Sequence, residues 1–407
     1  MKKYDYAKSD VRTWLEIDTK KLRHNYSEFR KLIGAKCRLM AVVKSNAYGH
    51  GLIDYSKTLD KFGVDWFGVD SFVEAIKLRK AGIQKPILVL GYTLPENYKQ
   101  ASEQNISLTI SSLEQLKTLL CHCEESACDE ATYHDGLPRS LWRPRNDNVL
   151  KVHLKIDTGM HRQGFQSHEL DEMVKIIKSM KFIKIEGIYS HFAEVISPKY
   201  QSSKQQLNAF NATLKTLEPY SHTRCGSKGL IKHMAASAAA VTLPESRFDM
   251  VRIGIGLTGI WPSEQGKKKF LGTIKLLPVM SWKTIITEIK TIESKEGVGY
   301  GFSHRTKRKT KIAILPIGYW HGFKWSLSNK GCVLVSGQSC PVIGRVCMDM
   351  TIIDVTDLKS VSVGDIVTII GSDGENEMTV EKMAELAGSY RYEIITTINP
   401  LIQKIYR

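Results

Sequence analysis

No apolar run among the 407 residues is long enough to cross a bilayer, and the opening MKKYDYAKSD lacks the hydrophobic stretch of a signal peptide. A cytoplasmic protein without membrane partners is therefore expected. Internal repeats and low-complexity tracts are also missing. Paired C-x-x-C spacing does not occur among the eight cysteines. The nearest approach to a metal site is Cys121, Cys123 and Cys128 with His122 and His134, and residues 122–148 read better as a polar insertion than as a zinc centre. A long chain of this kind does not imply disulfides either. Acidic residues are scarce, 42 against 58 basic ones, for a formal net charge of +16. Such an excess suits nucleic acid, a membrane surface or small anions. The basic runs at 267–269 and 306–311 are short, separate and not interleaved with aromatics, which argues against a nucleic-acid module.

The chain is too long for one ordinary core, and its 42% hydrophobic and 25% charged residues are those of a globular protein with ample core material. From Arg38 onward, buried-strand runs alternate with helical patterns: Leu39–Val43, Trp66–Val69, Ile87–Leu90, Ser107–Ile110, Val149–Ile156, Phe182–Tyr189, Ile231–Ala235 and Met250–Ile255. Eight such units predict an α/β fold of the (β/α)8 TIM-barrel type over residues 18–262. An open doubly wound sheet fits the alternation but rarely reaches eight units. After Pro262 the pattern changes to alternating apolar and polar segments with turn signals, which predicts a mostly antiparallel β domain over 263–407, joined by the N-terminal strand within 11–17.

The organising stretch is LMAVVKSNAYGHG, Leu39 to Gly51. A buried strand ends at Lys44, and Asn46, Gly49, His50 and Gly51 form a turn before a helix that starts near Leu52. A lysine so placed can anchor a phosphate as a point charge or attach covalently to a carbonyl cofactor. In a barrel the working face is the C-terminal end of the strands. There lie Lys44 and Tyr48, Arg162 after the fifth strand, His191 at the sixth, Ser237 after the seventh, and Arg252 with Gly254 on the eighth. Ser237 with Gly254, Ile255 and Gly256 reads as a phosphate site at strands seven and eight. The string GIGLTG also matches a dinucleotide fingerprint, but Ile260, Trp261 and Pro262 follow it where a helix should.

From TWLEID at Thr13 to the final KIYR, these motifs resemble the alanine racemase family. The resemblance implies a pyridoxal 5′-phosphate enzyme that interconverts L- and D-alanine, supplying D-alanine for cell-wall peptidoglycan. In KSNAYGHG, Lys44 matches the lysine that carries the cofactor and Tyr48 a phosphate contact. KIDTGMHRQGF makes Arg162 the holder of the substrate carboxylate and places Lys155 where many members are carbamylated. A carbamate there would invert the charge beside Arg162 and orient the guanidinium. DMVRIGIG sets Arg252 against the pyridine nitrogen, and a permanent cation weakens the cofactor as an electron sink. VGYGFSHRT makes Tyr300 the second base, reaching the site from the partner subunit of a homodimer, with His191 and Arg252 behind it. GRVCMDM places a backbone N–H of Met348 on the substrate carboxylate with Asp349 beside it. YRYEI makes Tyr392 a phosphate contact, and IGYWHG makes Tyr319 an entrance tyrosine. Trp320 and His321 replace a small residue and an aspartate, and Ala236 replaces a common asparagine, so a racemase of serine or another amino acid is an alternative. A non-catalytic carrier of pyridoxal phosphate and, on GIGLTG, a dinucleotide oxidoreductase are the others.

Overall fold

The computed structural model describes residues 11–123, 149–180, 183–195, 201–217, 229–261, 263–270 and 272–407. The chain opens with strand β1 (Thr13–Ile17) and helix α1 (Thr19–Ile33). Asp18 caps α1 by accepting from Lys20 N–H at 3.0 Å and Lys21 N–H at 2.9 Å. The helix buries Leu22, Asn25, Tyr26, Phe29 and Ile33, one stripe at helical spacing.

Eight parallel strands follow: β2 (Arg38–Val42), β3 (Trp66–Val69), β4 (Ile87–Val89), β5 (Ile106–Ile110), β6 (Leu150–Lys155), β7 (Ile183–Tyr189), β8 (Ile231–His233) and β9 (Met250–Ile253). β2 through β7 each pair with their successor, and β9 pairs back onto β2. The last seam, β8 to β9, is narrow. It is stitched by a bridge between Ala236 and Arg252, with Arg252 N–H donating to Ala235 O at 2.9 Å. The result is a nearly closed barrel. Side chains alternate across each strand, so Met40, Val42, Trp66, Leu88 and Met250 fill the lumen, while Leu39, Ala41, Phe67, Val69, Ile87 and Val89 pack outward in the core that includes the helices. Residue pairing places Ser107, His153, Lys155, Tyr189, His233 and Arg252 on the lumen side as well. The strand bounds differ from the sequence-based ones by one or two residues; the expected Phe182 start lies outside the described residues, as do most of 122–148 and 220–230.

Residues 280–407 build a mostly antiparallel β unit. Its main sheet contains β10 (Met280–Ile285), which is antiparallel to β1 in register Leu15↔Trp282, while the C-terminal strand Gln403–Tyr406 runs parallel along the other edge of β1. A three-stranded sheet, Glu288–Ile292, Thr310–Leu315 and Thr351–Asp354, adds a second layer. The short helix Arg391–Thr396 lies against the barrel: a Cβ on Gly49 would stand 2.1 Å from Ile395 O, and Tyr406 Oη donates to His50 O at 2.8 Å. The β unit therefore backs the turn that follows β2.

Gly49 is constrained twice, by a φ of +84° and by that contact. Gly34, at φ +72°, has nothing within 4 Å of its would-be Cβ. Gly49→Ala is expected to cost about 2–4 kcal/mol and Gly34→Ala about 1 kcal/mol, read as the shift in urea midpoint of the tertiary signal; equal shifts would show that the Ile395 contact carries no weight.

Candidate active site

The turn after β2 is a left-handed coil of non-glycine residues: Ser45, Asn46, Ala47 and Tyr48 have φ of 54°, 57°, 52° and 52°. Each such residue costs about 1–2 kcal/mol, so the turn persists only because its surroundings fix it. Ala47 N–H donates to Val43 O at 2.9 Å and Gly51 N–H to Asn46 O at 2.9 Å. Asn46 Oδ1 accepts from Leu52 N–H at 2.9 Å, starting the helix Leu52–Phe62. His50 is fully buried, and burial holds its imidazole down to about 4, hence neutral. Its Nδ1 lies 3.1 Å from Ala47 O and 3.0 Å from Tyr48 O, so this nitrogen carries the proton and ties the coil from inside. A sequence reading finds a turn here but not its hand.

The coil presents Lys44 and Tyr48 to a cavity of about 750 Å3 at the C-terminal end of the barrel strands. Lys44 Nζ donates to Asp70 Oδ1 at 3.0 Å. Asp70 directly follows β3, as Lys44 follows β2 closely, and that equivalence is the signal by which the sequence could have revealed it. Lys155, Arg162, His191 and Arg252 line the same cavity. Burial, reinforced by Arg162, Arg252 and Lys44, pushes the Lys155 ammonium down to about 8. Its Nζ donates to Gln163 Oε1 at 2.7 Å, and Gln163 Nε2 donates to Ser111 Oγ at 3.2 Å. Arg252 is buried, and among the described residues no carboxylate is bonded to it. Its Nη1 donates to His233 Nδ1 at 3.0 Å and His233 O at 3.1 Å, and its Nη2 to Ser190 O at 2.7 Å, Met234 O at 2.9 Å and His191 Nδ1 at 3.0 Å. Burial lowers it to about 10. His191 is held down to about 3 by burial and then by Arg252, so it is neutral, with its proton on Nε2.

The other wall is a cradle. Gly254 N–H and Gly256 N–H donate to Ser237 Oγ at 3.2 and 3.3 Å, leaving the hydroxyl proton of Ser237 for a guest. Ile255 lies between them. A Cβ on Gly254 would come within 2.4 Å of Tyr48 Oη, so glycine is what lets that phenol in. Tyr48 meets Tyr392 edge-on at 6.2 Å, and Tyr390 stacks on Tyr392 at 5.1 Å. Burial pushes the Tyr48 phenol up to about 12 and Tyr392 higher still, so both are neutral donors. A cation-rich cavity with an amine at one wall and hydroxyl donors at the other fits pyridoxal 5′-phosphate, an anion that carries an aldehyde.

Tyr300, Met348, Asp349 and Tyr319 are not in this cavity. They belong to the β unit, where Tyr300 is 71% exposed and Met348 53%. Trp320 N–H donates to Met348 O at 3.0 Å, and His321 Nδ1 stands 4.0 Å from Asp349 Oδ1, so the entrance motif and the GRVCMDM loop adjoin. Phe302, Trp325 and Met350 of the same unit are exposed as well. Gln163, Tyr189, His153 and His233 are site-wall or lumen residues that sequence reasoning missed. Of the Cys/His cluster, Cys128 and His134 lie outside the described residues. Among the described residues no group of three His, Cys, Asp or Glu side chains is placed to hold a metal, and no helix is long and apolar enough to cross a membrane. A second hollow of about 1170 Å3, lined by Arg38, Lys215 and Asp249, opens at the opposite end of the barrel, away from this chemistry.

Comparison with known proteins bears on the whole chain. Residues 17–262 match the alanine racemase N-terminal domain and residues 279–406 the alanine racemase C-terminal domain. The alanine racemase of Methanococcus maripaludis is 37% identical over 394 residues, 97% of this chain and 98% of the relative. That of Halothermothrix orenii is 36% identical over 97% of each chain. Among solved structures, alanine racemase from Bacillus anthracis with bound L-Ala-P has a TM-score of 0.86 at 30% identity, covering 98% of this chain and 96% of that one. The alanine racemase from D-cycloserine-producing Streptomyces lavendulae has a TM-score of 0.84 at 32% identity, covering 98% of each. With both domains matched and relatives above 30% identity over nearly its full length, this chain belongs to the alanine racemase family of enzymes.

Proposed function

We propose that the chain interconverts L-alanine and D-alanine with pyridoxal 5′-phosphate, using two opposed bases, and that its product serves peptidoglycan synthesis in the cytoplasm. The observation that carries this reading is the single cavity in which Lys44, three further cations and a hydroxyl cradle face one another. When bound, the cofactor supplies an electron sink that acidifies the substrate α-proton. Tyr48, Ser237, Gly254, Ile255 and Tyr392 would hold its phosphate, and Lys44 would attach it. Arg162 binds the substrate carboxylate. Arg252, a buried guanidinium, would stand toward the ring nitrogen when the cofactor is bound and, by donating rather than accepting there, would restrain the sink and favour proton return over amino transfer or decarboxylation.

Racemisation needs a proton removed from one face and delivered to the other. Lys44 Nζ, beside Asp70, serves one face. The partner subunit's Tyr300 serves the other, with His191 behind it and the backbone of Met348, next to Asp349, steadying the carboxylate; Tyr319 stands at the entrance. The exposure of all four β-unit residues supports a homodimer with shared sites. A second reading, a racemase of a different amino acid, rests on Trp320 and His321 beside Tyr319, and a panel of amino acids separates the two.

In deuterated water, L-alanine is expected to lose its α-proton while D-alanine appears. Tyr300→Phe should slow α-proton exchange from one alanine enantiomer by about 10²–10⁴-fold and from the other far less; equal slowing of exchange from both enantiomers would refute the two-base assignment. Mixing Lys44→Ala with Tyr300→Phe subunits should restore about a quarter of native activity, because half the dimers then own one intact site. No restoration would place both bases on one chain. For Lys155, carbamylation requires the neutral amine. A group that titrates at about 8 becomes neutral as pH rises through 8, so labelling from ¹³C-bicarbonate should increase across that range and Lys155→Arg should abolish it. A fully active, unlabelled Lys155 would remove the carbamate from the scheme.

A further inference from the structure

Beneath the cavity Arg252 heads a row of titratable groups in the barrel lumen, and the proposed reaction uses none of the others. Arg252 Nη1 donates to His233 Nδ1 at 3.0 Å, His233 Nε2 lies 2.9 Å from His153 Nδ1, and His153 Nε2, which has no hydrogen-bond partner among the described residues, faces Glu186 Oε2 across a charge contact of 3.6 Å. Glu186 Oε2 accepts from Ser107 Oγ at 2.6 Å, and Lys151 Nζ stands 4.0 Å from its other oxygen. Both histidines are fully buried.

The two ends of this row agree on its direction. A guanidinium can only donate, so His233 Nδ1 is an acceptor and its proton sits on Nε2. That proton is given to His153 Nδ1, which leaves the proton of His153 on Nε2, the atom aimed at the carboxylate. Burial drives both rings toward neutrality, opposed at His153 by Glu186 and aided at both by the charge of Arg252. The row then runs from a cation at the cavity floor through two polarised neutral rings to an anion.

The backbone is shaped to accommodate it. Val152 pairs with Ile185 but His153 pairs with Gly187, so Glu186 is the extra residue of a bulge in β7. A Cβ on Gly187 would lie 2.4 Å from His153 Nδ1, so the strand has no side chain where the imidazole sits. Tyr189 stacks on His233 at 4.7 Å and 10°, and Trp66 meets His153 edge-on at 5.3 Å. Every group bonded to Arg252 is a neutral acceptor, and Glu186 is the one carboxylate in the row.

We propose that Glu186, acting through His153 and His233, is a positioning residue that fixes the proton placement and orientation of Arg252 beneath the cofactor ring. This rests on the role given to Arg252 above. Glu186→Gln keeps the shape but removes the charge, and its amide can turn to donate, which permits the reversed row and sets His233 against Arg252 donor to donor.

The test uses the dimeric full-length protein labelled with ¹⁵N at histidine. In wild type, long-range ¹H–¹⁵N spectra should show His153 and His233 neutral with the proton on Nε2. In Glu186→Gln a population of His153 with its proton on Nδ1 should appear, and Glu186→Asp should restore the wild-type pattern. With the cofactor-loaded enzyme, pyruvate released per racemisation turnover reports transfer of the alanine amino group to the cofactor, which becomes pyridoxamine phosphate. That ratio should rise about ten-fold in Glu186→Gln, the effect of about one unit of proton affinity at Arg252, and return in Glu186→Asp. A wild-type His153 protonated on Nδ1 overturns the proposal even if no variant folds. Unchanged tautomers, or an unchanged pyruvate ratio, in a folded Glu186→Gln protein overturn it as well. A wild type that fails to racemise alanine would instead refute the function proposed above, and the tautomer spectra would still decide this inference.

Discussion

Four cations, Lys44, Lys155, Arg162 and Arg252, converge on one cavity, and their mutual repulsion is the constraint around which the rest of the site is arranged. Its marks are in the protonation states: Lys155 falls to about 8, Arg252 to about 10 and His191 to about 3, each by burial first, with neighbouring positive charge adding to the fall. Such a cluster can be held only by a stiff frame, and it favours an anionic guest that relieves it. The frame is the barrel, whose strands are hydrogen-bonded on both sides and packed on both faces. A site of the same residues on open loops would spread apart.

The two units share the work of keeping the Lys44 turn in its left-handed form. From the barrel side, His50 and Asn46 bond the coil internally. From the β unit, Ile395 leaves room for no side chain at Gly49, and Tyr406 ties down His50 O. Strain that would unwind the coil in isolation is thus offset by contacts supplied by segments far away in sequence. Tyr392 reaches the cradle from the helix that also carries Ile395, so one element both supports the lysine and closes the site.

Much of this was legible in the order of residues. The barrel could be read because buried strands such as Leu39–Val43 and Trp66–Val69 are continuous apolar runs bounded by turn formers, and the cavity residues could be read because they end those runs. Asp70 was equally placed and went unnoticed because an acidic residue after a strand is common. The coil at Ser45–Tyr48 was not legible: its hand depends on contacts from residues 395 and 406 that no local pattern encodes. The lumen row was half visible. In LKVHLKI the polar residues Lys151, His153 and Lys155 alternate with apolar ones, and in a strand with both faces buried that alternation can point only into the barrel. What no sequence pattern discloses is the bulge that swings Glu186 toward them.

The pairing of β1 with both β10 and the C-terminal strand has a consequence for how the molecule is made. Strand β1 finds its sheet partners only after residue 280 and is enclosed only after residue 403. Barrel strands are complete by Ile253, so on the ribosome the barrel can assemble while β1 still lacks its sheet and the Lys44 coil still lacks Ile395 and Tyr406. Support for the Lys44 coil is therefore completed late: residues 395 to 406 close it, and a chain cut before them that folds its barrel remains without a finished cavity wall.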